Sequence, residues 1–250
     1  MRNSVNKLLK NFVARLGLEA TRSEYSFRSR RNTLIRVLEI DLVIDVGANE
    51  GQWASDVRSG NSDIPIVSFE PLTKAFSSLA SAKGRDDKWS LVQAAAGAET
   101  GTLGIHVAAN SVSSSFLPML ELHRNEAPGS ETRSIEQVRV TTVDTEIGSA
   151  GTRIYLKADT QGYEFEVLKG SVKTLNRACA VELELSLVPL YAGSPSIWDA
   201  IRSMEIAGFT LCLLEPSFTA TTHPQTLQLD AVFVRTSEML SKHWPLPTPA

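Results

Sequence analysis

Residues 41–51 read DLVIDVGANEG. Leu42, Val43 and Ile44 form a short apolar run that ends at Asp45, and Gly47, Ala48, Asn49, Glu50 and Gly51 follow at once. A strand apolar on both faces belongs inside a helix-covered parallel sheet, and ligands of such sheets sit beyond the carboxyl ends of the strands. The pattern predicts a buried strand over 41–46, a turn that opens onto a ligand, and a helix over 50–58. Gly47 and Gly51 let the main chain approach that ligand without an intervening Cβ.

The spacing separates two cofactor classes. A dinucleotide fingerprint needs three glycines as G-x-G-x-x-G, whereas this turn has two as G-x-x-x-G, which weakens the pyrophosphate reading. A second acid, Glu70 in IPIVSFEP, stands 23 residues after Gly47, where a carboxylate can accept both hydroxyls of a ribose. Asp45 and Glu70 together resemble the S-adenosylmethionine (SAM) site of class I methyltransferases. A glycine-containing turn with no ligand explains the first motif alone equally well, so the decision rests on later segments.

With 250 residues, 42% hydrophobic and 21% charged, and a net charge of −3, the chain fits one large α/β domain with no bias toward nucleic acid. The charge is uneven. Residues 1–40 carry nine Lys or Arg against three Glu, a net of +6, which leaves −9 on the remainder. Such a segment can dock on the acidic body, meet an anionic membrane surface, or simply form a solvated helical face. Cys179 and Cys212 sit in apolar runs and read as buried thiols, which suits a reducing compartment. The absence of an 18-residue apolar run or a signal-peptide pattern predicts a cytoplasmic chain without a transmembrane segment.

Leu8, Leu9, Phe12, Val13 and Leu16 recur at helical spacing over 4–18, and a second helix is expected over 31–40, so that residues 1–40 form a helical segment suited to a lid. Strands at 41–46, 65–69 and 89–94 alternate with helices at 50–58 and 72–82, a pattern that implies right-handed βαβ crossovers. Residues 101–142 break the alternation with strand-like TLGIHV and QVRVTTVD around a polar loop, and read as an insertion. Regular alternation returns with strands at 153–159, 178–185, 209–216 and 227–235 and helices at 163–169 and 196–207. The last two strands have no helix between them, so the final one should be antiparallel; 236–250 reads as a tail.

From Lys157 the segment LKADTQGYEFEVLKG resembles the hallmark of the FkbM family of SAM-dependent methyltransferases, an LKIDVQGYELEVLKG-like string. Further family stretches follow in order: IDVGANEGQ at 44–52, FEP at 69–71, AAAG at 94–97, VTTVDT at 140–145, ELSLVPLYAG at 184–193 and DAVFVR at 230–235. Ala158 and Ala48 are mild departures. The resemblance implies a class I, Rossmann-like α/β fold and SAM as cofactor. It also implies O-methylation of a hydroxyl, typically on a sugar or a polyketide-type ring. It further implies that Asp45, Gly47, Asn49, Gly51 and Gln52 line the methionine end of SAM, Glu70 with Pro71 the ribose, and Ala95 and Ala96 the adenine, with Asp159 and Gly162 beside the methyl group.

Methylating an alcohol requires alignment of oxygen, carbon and sulfur and removal of a proton, so a base is expected. Asp159 ends the fourth main strand, and Glu182 and Glu184 share one face of the apolar fifth. Asp159 is the first candidate for base or substrate orienter. An Mg²⁺ site of Asp159, Glu182 and Glu184 ranks second, and a structural pairing with Lys157 or an arginine third. Glu184 and His223 complete the catalytic candidates, while His106 and His123 read as structural or surface residues. The acceptor expected on these grounds is a sugar hydroxyl, with a lipid-linked one suggested by the basic amphipathic N-terminus. An NAD-dependent oxidoreductase and a non-catalytic glycan-binding module are the rival classes.

Overall fold

The computed structural model describes residues 25–246. A seven-stranded sheet is its spine, built from β1 (Leu42–Val46), β2 (Ile66–Phe69), β3 (Trp89–Val92), β7 (Ile154–Ala158), β8 (Ala178–Ser186), β9 (Phe209–Thr219) and β10 (Thr226–Arg235), in the order β3-β2-β1-β7-β8-β10-β9. Pairings among β3, β2, β1, β7 and β8 are parallel, and β10 runs antiparallel to both β8 and β9. β1 is buried along its whole length, as its apolar run requires. The expected antiparallel last strand is present, and it inserts between its two neighbours instead of adding to the edge.

Alternation divides the core by face. Leu42, Ile44 and Val46 of β1 pack with α5 (Val143–Ile147), α6 (Glu164–Lys169) and α8 (Ile197–Ile206); α7 (Val172–Leu175) links α6 to β8. Val43 of β1, with Tyr155 and Ala180, packs on the other face against α1 (Phe27–Val37), α2 (Gln52–Gly60) and α3 (Thr73–Lys83). Ser196 and Asp199 cap α8 reciprocally, which fixes where that helix starts.

The expected insertion is a second, three-stranded sheet, β4 (Ala95–Ala96), β6 (Thr132–Thr141) and β5 (Gly101–Ala108), with the short α4 (Glu121–Glu126). Ala95 and Ala96 leave the main sheet to pair with Val140 and Thr141, so the strand expected over 89–94 stops at Val92. Residues 236–241, read as part of a tail, form α9 (Thr236–Ser241), held by buried Met239 and by Glu238 on Arg153 at 2.8 Å. The helix expected over 31–40 is α1, which begins earlier, at Phe27, and packs into the core through Leu34, Ile35 and Leu38. The amphipathic helix expected over 4–18 lies outside the described residues. Among the described residues no helix is long and apolar enough to cross a membrane.

Candidate active site

A cleft of about 410 Å³ opens beyond the carboxyl ends of β1, β2 and β7, within the roughly 300–1,000 Å³ of small-molecule sites. Gly47, Asn49, Gln52, Glu70, Pro71, Ala95 and Ala96, the residues expected at the cofactor, all line it. Trp53, Lys157, Asp159, Gln161 and Glu184 close one side. Residues 110–114, Phe116, His123 and Phe218 form the far wall, and Gln228 joins the first side through its bond to Glu184.

The turn after β1 is fixed by contact. Gly47 has φ +76°, and a Cβ there would lie 1.9 Å from the Asp159 carbonyl oxygen. The missing side chain therefore serves the crossing of β1 and β7, while the Gly47 backbone lines the cleft. Gly51 takes φ +88° at the start of α2, and a Cβ would meet Leu79 at 2.9 Å; it does not line the cleft, so its expected cofactor role gives way to packing on α3. Asn49 holds a left-handed φ of +48°. Its N–H donates to Glu70 Oε2 at 2.9 Å, and the Leu72 N–H donates to Glu70 Oε1 at 2.8 Å. A carboxylate offers about four acceptor positions, so one remains on each Glu70 oxygen for a vicinal diol. Burial lifts the Glu70 pKa to about 7, against the opposing pull of these two N–H groups.

Asp45 lies beneath the cleft instead of lining it, which corrects its predicted direct contact. In the sheet register Ser68, Asp45, Lys157 and Glu182 are successive lateral neighbours across β2, β1, β7 and β8. Lys157 Nζ stands 3.2 Å from Asp45 Oδ1 and 3.5 Å from Asp159 Oδ2, and donates to the Gly47 carbonyl at 3.2 Å. Burial opposes the Lys157 charge, but Asp45, Asp159 and Glu182 outweigh it and its pKa is raised. Burial likewise raises the Asp45 pKa, with Lys157 opposing. This lysine ties the floor of the turn to the mouth of β7.

Glu182 is committed to structure. It accepts from Trp53 Nε1 at 2.9 Å and from the Tyr155 hydroxyl at 2.5 Å, and Arg31 of α1 lies 3.6 Å away and over the Trp53 ring. The proposed metal trio thus loses its middle member; among the described residues no three His, Cys, Asp or Glu are grouped so as to hold a metal ion. Asp159 and Glu184 do converge, each accepting from the same amide nitrogen of Gln161, at 3.0 and 2.5 Å. Gln228 also donates to Glu184, at 2.8 Å. Burial first, then Asp159, Glu164 and Asp230, push the Glu184 pKa well up. Asp230, its register partner on β10, rises to about 7 through burial and the charge of Asp159.

His223 is exposed in the β9–β10 turn and does not line the cleft, so the catalytic role predicted for it is not supported by its position. His123, read as structural or surface, is buried in the far wall with Nε2 3.3 Å from Ser113 Oγ and its ring against Tyr191 and Phe218. Burial lowers its pKa to about 4, so it is neutral at physiological pH. Gln161, Gln228 and Asp230 were not singled out in the sequence; the strand pattern HPHP around 228 and 230, in register with Glu184, is the signal that could have found the latter two.

The chain's own atoms fit the implied cofactor. Glu70 keeps free acceptor positions beside the turn, and the Asn49 Oδ1 is buried with no protein partner. The small side chains of Ala95 and Ala96 line the same cleft.

Residues 45–211 match the methyltransferase FkbM domain. A search of curated proteins gave no match. Among solved structures, the precorrin-6y C5,15-methyltransferase of Geobacter metallireducens is 10% identical, with 86% of this chain and 93% of that one aligned at a TM-score of 0.44. An rRNA methylase from Streptococcus thermophilus is 10% identical, with 83% and 95% aligned at 0.43. These likenesses are too distant to bear on acceptor or mechanism. The family match spans most of the chain: the chain belongs to the FkbM methyltransferase family and is a SAM-dependent methyltransferase.

Proposed function

We propose that this methyltransferase transfers its methyl group to a hydroxyl of a sugar carried by a glycolipid or another glycoconjugate. The observation that carries this reading is the position of Asp159. Its side chain is 35% exposed at the mouth of β7, in a cleft whose lining mixes Ser111, Ser113 and Gln228 with the rings of Phe116 and Phe218. Hydroxyl and amide groups suit a polyhydroxylated ring, and aromatic faces suit its C–H surfaces.

When bound, the cofactor supplies a methyl group on a sulfonium sulfur. Glu70 would hold its ribose and Asn49 its methionine portion, and the Lys157 link keeps that floor fixed relative to Asp159. Asp159 would take the proton of the acceptor hydroxyl as that oxygen becomes the nucleophile, and its fixed place at the mouth of β7 would align the hydroxyl for transfer. Glu184, which shares the Gln161 amide with Asp159, orients the site. The +6 charge over residues 1–40 supports a lipid-linked acceptor met at the cytoplasmic face of an anionic membrane.

Incubation with methyl-labelled SAM and a cellular glycolipid extract, with and without chelator, followed by mass analysis of the product, tests the reading. Label on a sugar oxygen, unaffected by chelator, is expected. Label confined to lipid or protein, or no label with SAM demonstrably bound, refutes it. A thermal-shift comparison of SAM with NAD tests the cofactor.

A further inference from the structure

We propose that Gln161 is the positioning residue of this site: its side-chain amide holds Asp159 and Glu184 in one fixed arrangement, so that an Asp159 oxygen is presented to the acceptor hydroxyl. The inference rests on the reading of Asp159 as the group that takes the acceptor's proton.

Gln161 adopts φ +55°, a left-handed backbone rarely used by residues other than glycine. Its neighbours over-determine that conformation. Ser115 Oγ donates to the Gln161 carbonyl at 2.8 Å, and Glu164 Oε1 accepts from the N–H groups of Thr160 and Gly162, on either side, at 2.8 and 3.1 Å. Strain held in place by several independent contacts next to a cleft is a marker of function.

The side chain is equally constrained. Both hydrogens of Nε2 are used, one on Asp159 Oδ1 and one on Glu184 Oε2, while Oε1 accepts from the buried Tyr191 hydroxyl at 2.8 Å. Only this orientation of the amide is compatible with the site. Reversed, the carbonyl oxygen would confront two carboxyl groups. Asp159 Oδ2 is left facing Lys157 at 3.5 Å. The charged and titratable groups around the amide are Asp159, Glu184, Glu164, Asp230, Lys157 and Tyr191, and Gln161 is the neutral member that donates to two of the acids at once.

Two substitutions separate this role from a structural one. Gln161→Gly keeps the left-handed backbone at no steric cost and deletes the amide; Gln161→Leu keeps the bulk and deletes the hydrogen bonds. Each is assayed for label transfer from methyl-labelled SAM to the glycolipid extract, for SAM affinity by calorimetry, and for the titration of the Glu184 carboxyl by ¹³C NMR, assigned with Glu184→Gln. The expected result is a fall in kcat of roughly 10–100-fold with SAM affinity within about twofold, and an acid-side limb of kcat moved to higher pH. The Glu184 signal should also titrate at higher pH, because a carboxylate that loses a donor is less stabilised in its charged form. Tyr191→Phe, which removes the donor to Oε1, should give a smaller change in the same direction. Wild-type kcat in both Gln161 variants overturns the proposal. So does a loss of kcat with the pH limb and the Glu184 titration unmoved. The NMR titration needs no acceptor: a shifted Glu184 signal in a protein that labels no glycolipid sustains the positioning role and removes the sugar reading.

Discussion

Gly47→Ala is the most direct perturbation of the β1–β7 crossing. The new Cβ would stand 1.9 Å from the Asp159 carbonyl oxygen, below the 3.0 Å that real Cβ contacts respect, so the two strand ends must part by at least about 1.1 Å. The residue also sits at φ +76°, where an L side chain costs about 1–2 kcal/mol. Relief of the overlap adds about 1–3 kcal/mol. Together these predict a loss of about 2–5 kcal/mol in urea unfolding, with a melting temperature lower by roughly 5–15 °C. Because the displaced atom belongs to Asp159, a shift on the order of 1 Å should also lower kcat about 100-fold in the protein that remains folded. Gly193→Ala is the control: it shares a left-handed φ of +82° but has nothing within 4 Å of its Cβ, so it should lose only about 1–2 kcal/mol and keep its activity. A Gly47→Ala protein with the stability and turnover of the Gly193→Ala protein would refute the argument that this glycine registers the two strands.

Glu70→Gln should flatten a pH dependence. Since burial holds Glu70 near 7, the ionised fraction that accepts a diol grows through that pH, and SAM affinity measured by calorimetry should rise up to about tenfold from about pH 6 to about pH 8 in the wild type only. The same raised pKa, shared by Glu164 and Asp230, has a stability sign: the folded chain keeps protons that the unfolded chain has lost, so the stabilisation present below the ordinary 4.5 or 3.8 is lost as pH rises through about 7, and thermal melts should show it. Lys157→Met strands the fully buried Asp45 and should cost about 3–5 kcal/mol in chemical unfolding, with partial recovery when Asp45→Asn is added. Asp159→Asn should lower kcat about 10²–10⁴-fold with SAM binding intact, whereas His223→Ala should stay within about twofold in the same assay.

The main sheet was legible because each of its strands is a local pattern. β1 announces itself by an apolar run and a small-residue turn, and β10 by following β9 without a helix. Glu70 was legible for the same reason, as an acid placed at a strand end. What the pattern hides is lateral. Asp45 and Lys157 look like separate charges until β1 and β7 are set side by side, and only the register then shows that one neutralises the other. Arg31 gives no sign in its own helix that it reaches Glu182 and Trp53. Gln161 looks like any polar loop residue, since its meaning comes from carboxyl groups on two strands and a tyrosine 30 residues on. Gly47 and Gly51 were expected to make room for a ligand, but their missing side chains make room for Asp159 and Leu79.

Glu126, at the end of α4, accepts from the N–H and hydroxyl groups of both Thr221 and Thr222 in the β9–β10 turn, at 2.5–3.2 Å. Two segments almost a hundred residues apart are thereby stitched along a single seam above Phe218 and His123. Phe218 and His123, which line the cleft, lie three residues from the two sides of that seam. Loosening that seam, by shortening Glu126 or trimming either threonine, should therefore reshape this wall of the cleft before it reaches the Glu70 cradle.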